Sequence, residues 1–208
     1  MRTTLSFLGS LVLIAALAAP VAAQGKQPPA APPATPGLAE HDAKILNVVQ
    51  DCAKKATAAL ENWIKTKEIS KKRLFSRLYF PIPNTTPPKF TTPWLKLGKR
   101  DIEPIIDKCV VSDGSLLYVI LVDTNGYTGL HNKKYRHKMT GDSAQDLKRN
   151  RTKRIFNDKV GIAAARNKKP HLLQTYQRDT GEKIKDLSVP VIVGGQHFGA
   201  IRAGYKVQ

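Results

Sequence analysis

DLSVPVIVGGQHFGAIRAGY, residues 186–205, sets the architecture expected of this chain. Its two halves read as strands over Lys183–Val193 and Gln196–Lys206, joined by a turn at Gly194-Gly195. Gly199 and Gly204 mark places where a helix or a ligand comes close to the sheet, and His197 and Phe198 read as packing residues. Working outward, LLQTYQRDTGE (172–182) belongs to a strand from His171 to Arg178 that turns at Asp179-Thr180-Gly181. Leu116 to Val122 is a nearly continuous apolar, β-branched-rich run, as a central strand covered on both faces requires. Asn125-Gly126 is the dipeptide most typical of a tight hairpin, so the chain is expected to return as a strand through Tyr127 to His131. A basic region from Asn132 to Asn150 then leads to a helix around Asp146 to Phe156. The expected class is α+β, a five-stranded antiparallel sheet with helices inserted between its second and third strands.

Upstream, Ile45, Val49, Cys52, Ala56, Leu60 and Trp63 recur at spacings of three and four, which predicts one long amphipathic helix from Leu38 to about Lys67. Five prolines between Pro81 and Pro93 exclude a regular helix or central strand there. A short helix follows with Ile102, Ile105, Ile106, Cys109 and Val110 on one face and Pro104 in its first turn. Residues 1–23 have the charged, apolar, small-residue order of a secretory signal peptide. Residues 24–37 are a Pro/Ala-rich linker of extended habit, and 38–208 are expected to form one domain. The mature chain is then extracytoplasmic, in the periplasm of a Gram-negative cell, with no membrane-spanning segment.

The chain carries 34 basic and 16 acidic side chains, a formal charge of +18. Loss of Arg2 with the signal peptide leaves 33 against 16, or +17. A field of this sign draws anions: nucleic acid, lipid headgroups, envelope polymers or carboxylate metabolites. Cys52 and Cys109 reach an oxidising compartment in this reading, as a disulfide or as two buried thiols. Neither begins a CxxC or CxxCH pattern, so no metal site or haem is expected, nor any other cofactor.

Four blocks taken in order, DTNGYTGLHN (123–132), NRTKRIFND (150–158), LLQTYQRDTGE (172–182) and DLSVPVIVGGQHFGAIRAGY (186–205), resemble the Cache (PAS-like) extracytoplasmic sensor domain of methyl-accepting chemotaxis receptors. The YxPIPxTxPxxxxTxW arrangement from Tyr79 resembles the matching region of those sensors. The resemblance implies a PAS-like sheet with a long N-terminal helix, a ligand bound between the sheet and the segment that crosses it, and pairing of two copies along the long helix. Gln208 stands where a receptor continues into the membrane, so a free-standing sensor is expected, reporting to a membrane-bound receptor or kinase or acting as a soluble binding protein.

The candidate ligand-binding residues are Tyr127, His131, Asn132, Arg154, Tyr176, Arg178 and Asp186. Strand periodicity puts Tyr176 and Arg178 on one face, Asp186 can approach them across the hairpin, and arginine offers a planar donor fork to carboxylate or phosphate. Each also has a structural reading as a cross-strand pair or core-edge anchor. His131, His137, His171, His197, Asp123 and Asp158 supply raw material for acid–base chemistry. They fall into no HExxH, GxSxG or phosphate-loop pattern, so a non-catalytic protein is expected. The competing function is a secreted polyanion- or nucleic-acid-binding protein using the 133–154 basic cluster.

Overall fold

The long amphipathic stripe forms α1 (Glu40–Lys65), and Ile45, Val49, Cys52, Ala56, Leu60 and Trp63 are all buried along it. Glu40 and Asp42 in its first turn and Lys65 in its last complement the helix dipole. The structure, a computed structural model, describes residues 37–177 and 181–207. Onward from α1 it comprises α2 (Lys71–Leu74), β1 (Phe80–Ile82), β2 (Lys89–Thr91), α3 (Leu95–Val110), β3 (Leu116–Asp123) and β4 (Tyr127–Thr128). A 3₁₀ turn (Lys133–Tyr135), α4 (Ser143–Arg149), β5 (Arg154–Ile155), α5 (Lys159–Arg166), β6 (Leu172–Gln177), β7 (Lys183–Val193) and β8 (Gln196–Lys206) complete it. The signal peptide and nearly all of the linker expected at residues 1–37 lie outside the described residues. No helix among the described residues is long and apolar enough to cross a membrane.

The main sheet is antiparallel, in the order β3-β8-β7-β6. It has four strands where five were expected, because the chain after Gly126 leaves the edge of β3 and Tyr127 and Thr128 pair instead with Ile155 and Arg154 of β5. Asp123 turns it: the Asp123 Oδ1 atom accepts from the backbone N–H groups of Asn125 (2.9 Å) and Tyr127 (3.1 Å). Gly126 has φ +77°, and an added Cβ would run into the carbonyl of Phe156, so the turn is packed against β5 rather than free to make a hairpin.

The helix expected around Asp146 to Phe156 ends at Arg149. Asn150 is extended there (φ −126°, ψ 93°), and its Oδ1 accepts from the buried Lys89 ammonium at 2.9 Å and the Thr152 hydroxyl at 2.9 Å. Lys153 then takes a positive φ of 59°, which no helix accommodates. α5, not anticipated, is capped by Asp158, whose side chain accepts from Val160 N (3.1 Å) and Gly161 N (3.0 Å). α3 begins well before the expected short helix, so Pro104 is internal rather than in the first turn. Pro104 sits on the exposed side, where the lost N–H spares the face of Ile102, Ile106 and Cys109.

One face of the sheet carries Val119, Leu121, Leu187, Val189, Val191 and Ile201 into a core closed by α1 and α3. Those two helices are joined by the Cys52–Cys109 disulfide, with Cα atoms 6.1 Å apart, and by a Trp63 Nε1–H bond to Asp101 Oδ2 of 2.6 Å. The first turn of α1 is pinned to β7 and β8 by the buried Asp42 carboxylate, which accepts from Lys185 Nζ (2.8 and 2.9 Å) and the Tyr205 hydroxyl (2.8 Å). The opposite face carries Tyr118, Ile120, Ile184 and Ala200 toward α5 and the crossover segment 131–158, and there a cavity opens.

Candidate functional site

The cavity measures about 420 Å³ and is floored by β3, β8 and β6. Strand alternation sends Tyr118 and Ile120 of β3 to the face opposite Val119 and Leu121, and Arg202 of β8 to the face opposite Ile201. Arg202 (5% exposed side chain) and Asp186 (fully buried) form an ion pair beneath this floor, with the Arg202 Nη2–H donating to Asp186 Oδ2 at 3.0 Å. The Tyr118 hydroxyl donates a short hydrogen bond to the same Oδ2, and the Tyr176 hydroxyl lies 3.1 Å from that of Tyr118. Burial first, then the Asp186 charge, pushes the Tyr118 pKa well above the ordinary phenol range, so its proton stays in place as a donor. Burial pulls the Arg202 pKa down, but the Asp186 charge outweighs it and the guanidinium is held above its usual value.

This floor exists because residue 204 is glycine. Gly204 pairs with both Tyr118 and Asp186, and a Cβ added there would run into the ring of Tyr118 itself. Gly204→Ala is therefore expected to drive the ring off the sheet, break its bond to Asp186 and cost about 2–3 kcal/mol. Urea unfolding checks this, and an unchanged midpoint would show that β3 shifts without loss.

The walls come from the crossover. His131 is buried, and its Nδ1 lies 2.7 Å from Asn132 Oδ1. That oxygen also accepts from Val119 N at 3.4 Å, so it is the carbonyl end of the amide and His131 Nδ1 carries the proton. The imidazole packs on Tyr135 (centroids 4.8 Å) and Tyr118 (6.0 Å). Phe156, also in the lining, has two guanidiniums against its ring, with Arg154 Cζ 4.6 Å and Arg151 Cζ 5.1 Å from its centroid. Arg151 is 7% exposed and lines the cavity, as do Asp158, Lys159 and Val160 at the start of α5.

Of the residues singled out from the sequence, the ligand candidates His131 and Tyr176 line the cavity, as does Asp158 from the acid–base set. Asn132 orients His131, and Asp186 anchors two lining groups from below. Tyr127 is not among the lining residues: with β4 paired to β5 its ring packs on Tyr79 (5.1 Å) and Trp94 (5.7 Å), and its hydroxyl donates to Phe90 O at 2.9 Å. Arg154 is half-buried against Phe156 and is not among the lining residues either. Arg178 lies outside the described residues. Tyr118, Ile120, Arg151, Phe156, Lys159, Val160, Gln177 and Arg202 complete the lining, and none was a sequence candidate. The signal for Arg202 was its place in the otherwise apolar GAIRAGY, since a charge in a buried strand requires a partner.

No protein-family model matches the chain, and no curated protein matches its sequence. Among solved structures, 78% of the chain is similar to the ligand-binding domain of the Campylobacter jejuni chemoreceptor Tlp3 in complex with 4-methylisoleucine, at 13% identity and a TM-score of 0.40. The ligand-binding domain of the Pseudomonas fluorescens chemoreceptor CtaA in complex with L-serine is similar over 80% of the chain, at 14% identity and a TM-score of 0.34. An extracellular ligand binding receptor from Desulfohalobium retbaense is similar over 81%, at 12% identity and a TM-score of 0.34. The chain spans 59%, 60% and 26% of those three chains, respectively. Sensor domains of chemoreceptors, the class that the four sequence blocks resemble, thus recur among the solved structures similar to this chain, while its fold rests on its own topology.

Proposed function

We propose that this chain is a non-catalytic sensor domain that binds a small anionic molecule, a carboxylate foremost, between the sheet and the crossover segment. One observation carries the reading: the cavity lining holds three cationic side chains, Arg151, Lys159 and Arg202, against the single carboxylate Asp158, whose Oδ1 caps α5, while Arg202 is paired to Asp186 beneath the floor. The tyrosine hydroxyls of the floor and the His131 ring add oriented polar groups to an otherwise apolar, half-open space, which is the anatomy of a metabolite site. In this reading residues 1–23 export the domain to the periplasm and 24–37 tether it. Occupancy biases the position of α1, and a partner protein reads that change. The bias has a physical route in β7: Asp186 faces the cavity floor while its neighbour Lys185 holds Asp42 of α1 on the other face. A ligand drives the change only to the extent that it binds the two arrangements unequally.

The test is a thermal-shift and calorimetric screen of organic acids, amino acids and purines at low and high salt. Amino acids come first because two of the similar chemoreceptor domains hold 4-methylisoleucine and L-serine. A saturable stabilisation that survives high salt is expected, and Arg151→Met should weaken it about ten- to a hundredfold. If no small molecule shifts the melt, the reading fails.

A second reading follows from the exposed Lys133, Lys134, Lys138, Lys148 and Arg149 on the crossover, none of which has an ion-pair partner among the described residues. They suit a polyanion. Stabilisation by nucleic acid alone, vanishing in salt, would favour it.

A further inference from the structure

The face built by α2 and β1 lies apart from the cavity and is unlike the rest of the surface. Leu78 is 64% and Phe80 52% exposed, two of the five large apolar side chains that stand out among the described residues. With Lys72 and Arg73 they rim a cleft of about 430 Å³ whose floor is Ser76, Thr91, Thr92 and Pro93. Lys72 and Arg73 are exposed and have no ion-pair partner among the described residues. Between Glu68 and Asp101 the chain holds no acidic residue and eight lysines and arginines. Lys71 is fixed here too, its ammonium donating to Gly194 O at 3.1 Å and lying 5.9 Å from the Phe75 ring centroid.

We infer that this face is a docking surface for an anionic phospholipid membrane. An amphipathic peptide that binds through apolar anchors needs a groove with an apolar floor. Here the largest apolar groups, Leu78 and Phe80, are not recessed in the groove but protrude at its rim beside the cations Lys72 and Arg73. Protruding leucine and phenylalanine beside lysine and arginine match a surface where acyl chains lie just below acidic headgroups. Lys72 and Arg73, without ion-pair partners among the described residues, supply that attraction.

The experiment is co-sedimentation of the full chain with vesicles of phosphatidylglycerol and phosphatidylcholine, against pure phosphatidylcholine. Binding to the anionic vesicles only is expected. The double variant Leu78→Ser/Phe80→Ser should lower partition about tenfold or more. Since each basic side chain near such a surface contributes about fivefold, Lys72→Glu/Arg73→Glu should lower it by at least about 25-fold. Lys133→Glu/Lys134→Glu makes the same change of net charge on another exposed segment and should leave partition within about twofold. All six positions are exposed, and circular dichroism establishes that each variant is folded. The proposal is overturned by absence of binding to anionic vesicles, by equal loss in the two charge variants, or by indifference to loss of Leu78 and Phe80. Binding of an acidic peptide that depends on the same residues, without vesicle binding, would assign the face to a protein partner and would equally overturn it.

Discussion

Asp186→Asn is expected to destabilise the domain by about 3–5 kcal/mol, because it leaves the buried Arg202 guanidinium without a counter-charge. For a domain of this size that corresponds to a fall in melting temperature of roughly 6–20 °C. The cost should exceed that of the lost hydrogen bonds alone, since Arg202 is only 5% exposed and cannot recover its hydration without opening the sheet. The comparison that separates pair strength from the penalty of an orphaned charge is the double variant Asp186→Asn/Arg202→Met. Removing both charges should recover most of the loss, to within about 2 kcal/mol of the starting protein. Thermal melts of the three proteins decide it. A single variant that melts within 2 °C of the parent would mean that the pair is not a stability element. Tyr118 should lose its fixed position in the single variant, so carboxylate binding is expected to weaken with it.

Removing the Cys52–Cys109 bond is the second large effect. The two cysteines are 57 residues apart, and in the chain-entropy model closing such a loop stabilises the fold by about 4 kcal/mol. Replacement of both by alanine should lower the melting temperature by roughly 8–16 °C. Both positions are buried between α1 and α3, so the bond and the packing it accompanies are lost together. The measurement that separates them compares the oxidised parent, the reduced parent and the alanine pair. If reduction alone lowers the melt by most of the difference, the crosslink is the cause, and if it does not, the cavities left by alanine are. A parent whose melt is indifferent to reductant would overturn the expectation.

What could be read in advance followed the strength of local periodicity. α1 and the strands β3, β7 and β8 lie within two residues of their expected limits, because runs such as Leu116 to Val122 and the stripe from Ile45 to Trp63 satisfy one geometry and no other. The region between Gly126 and Val160 was misread for a reason visible in particular side chains. Asn125-Gly126 carries the local signature of a hairpin, but the Asp123 carboxylate holds the turn open, and the partner of Tyr127 and Thr128 is a strand more than 25 residues away. Asn150 sits in a helix-compatible stretch, yet it is held extended by Lys89, sixty-one positions back. Half of the cavity was hidden for the same reason: Tyr118 and Arg202 stand in apolar strands, and only the sheet order β3-β8-β7 brings them to Asp186. His131 and Tyr176 were legible because strand alternation and the crossover resemblance place them with little help from distant contacts.

The position of β8 has a consequence for how the domain is made. It follows every other strand of the sheet in sequence yet is inner in the sheet, the element that bridges β3 to β7. As the polypeptide emerges from its N-terminus, β3 has no partner in the main sheet and Asp42 lacks Tyr205 until β8 is present. Assembly during synthesis is therefore held short of the native sheet until β8 is made, with the apolar run of β3 unpaired up to that point.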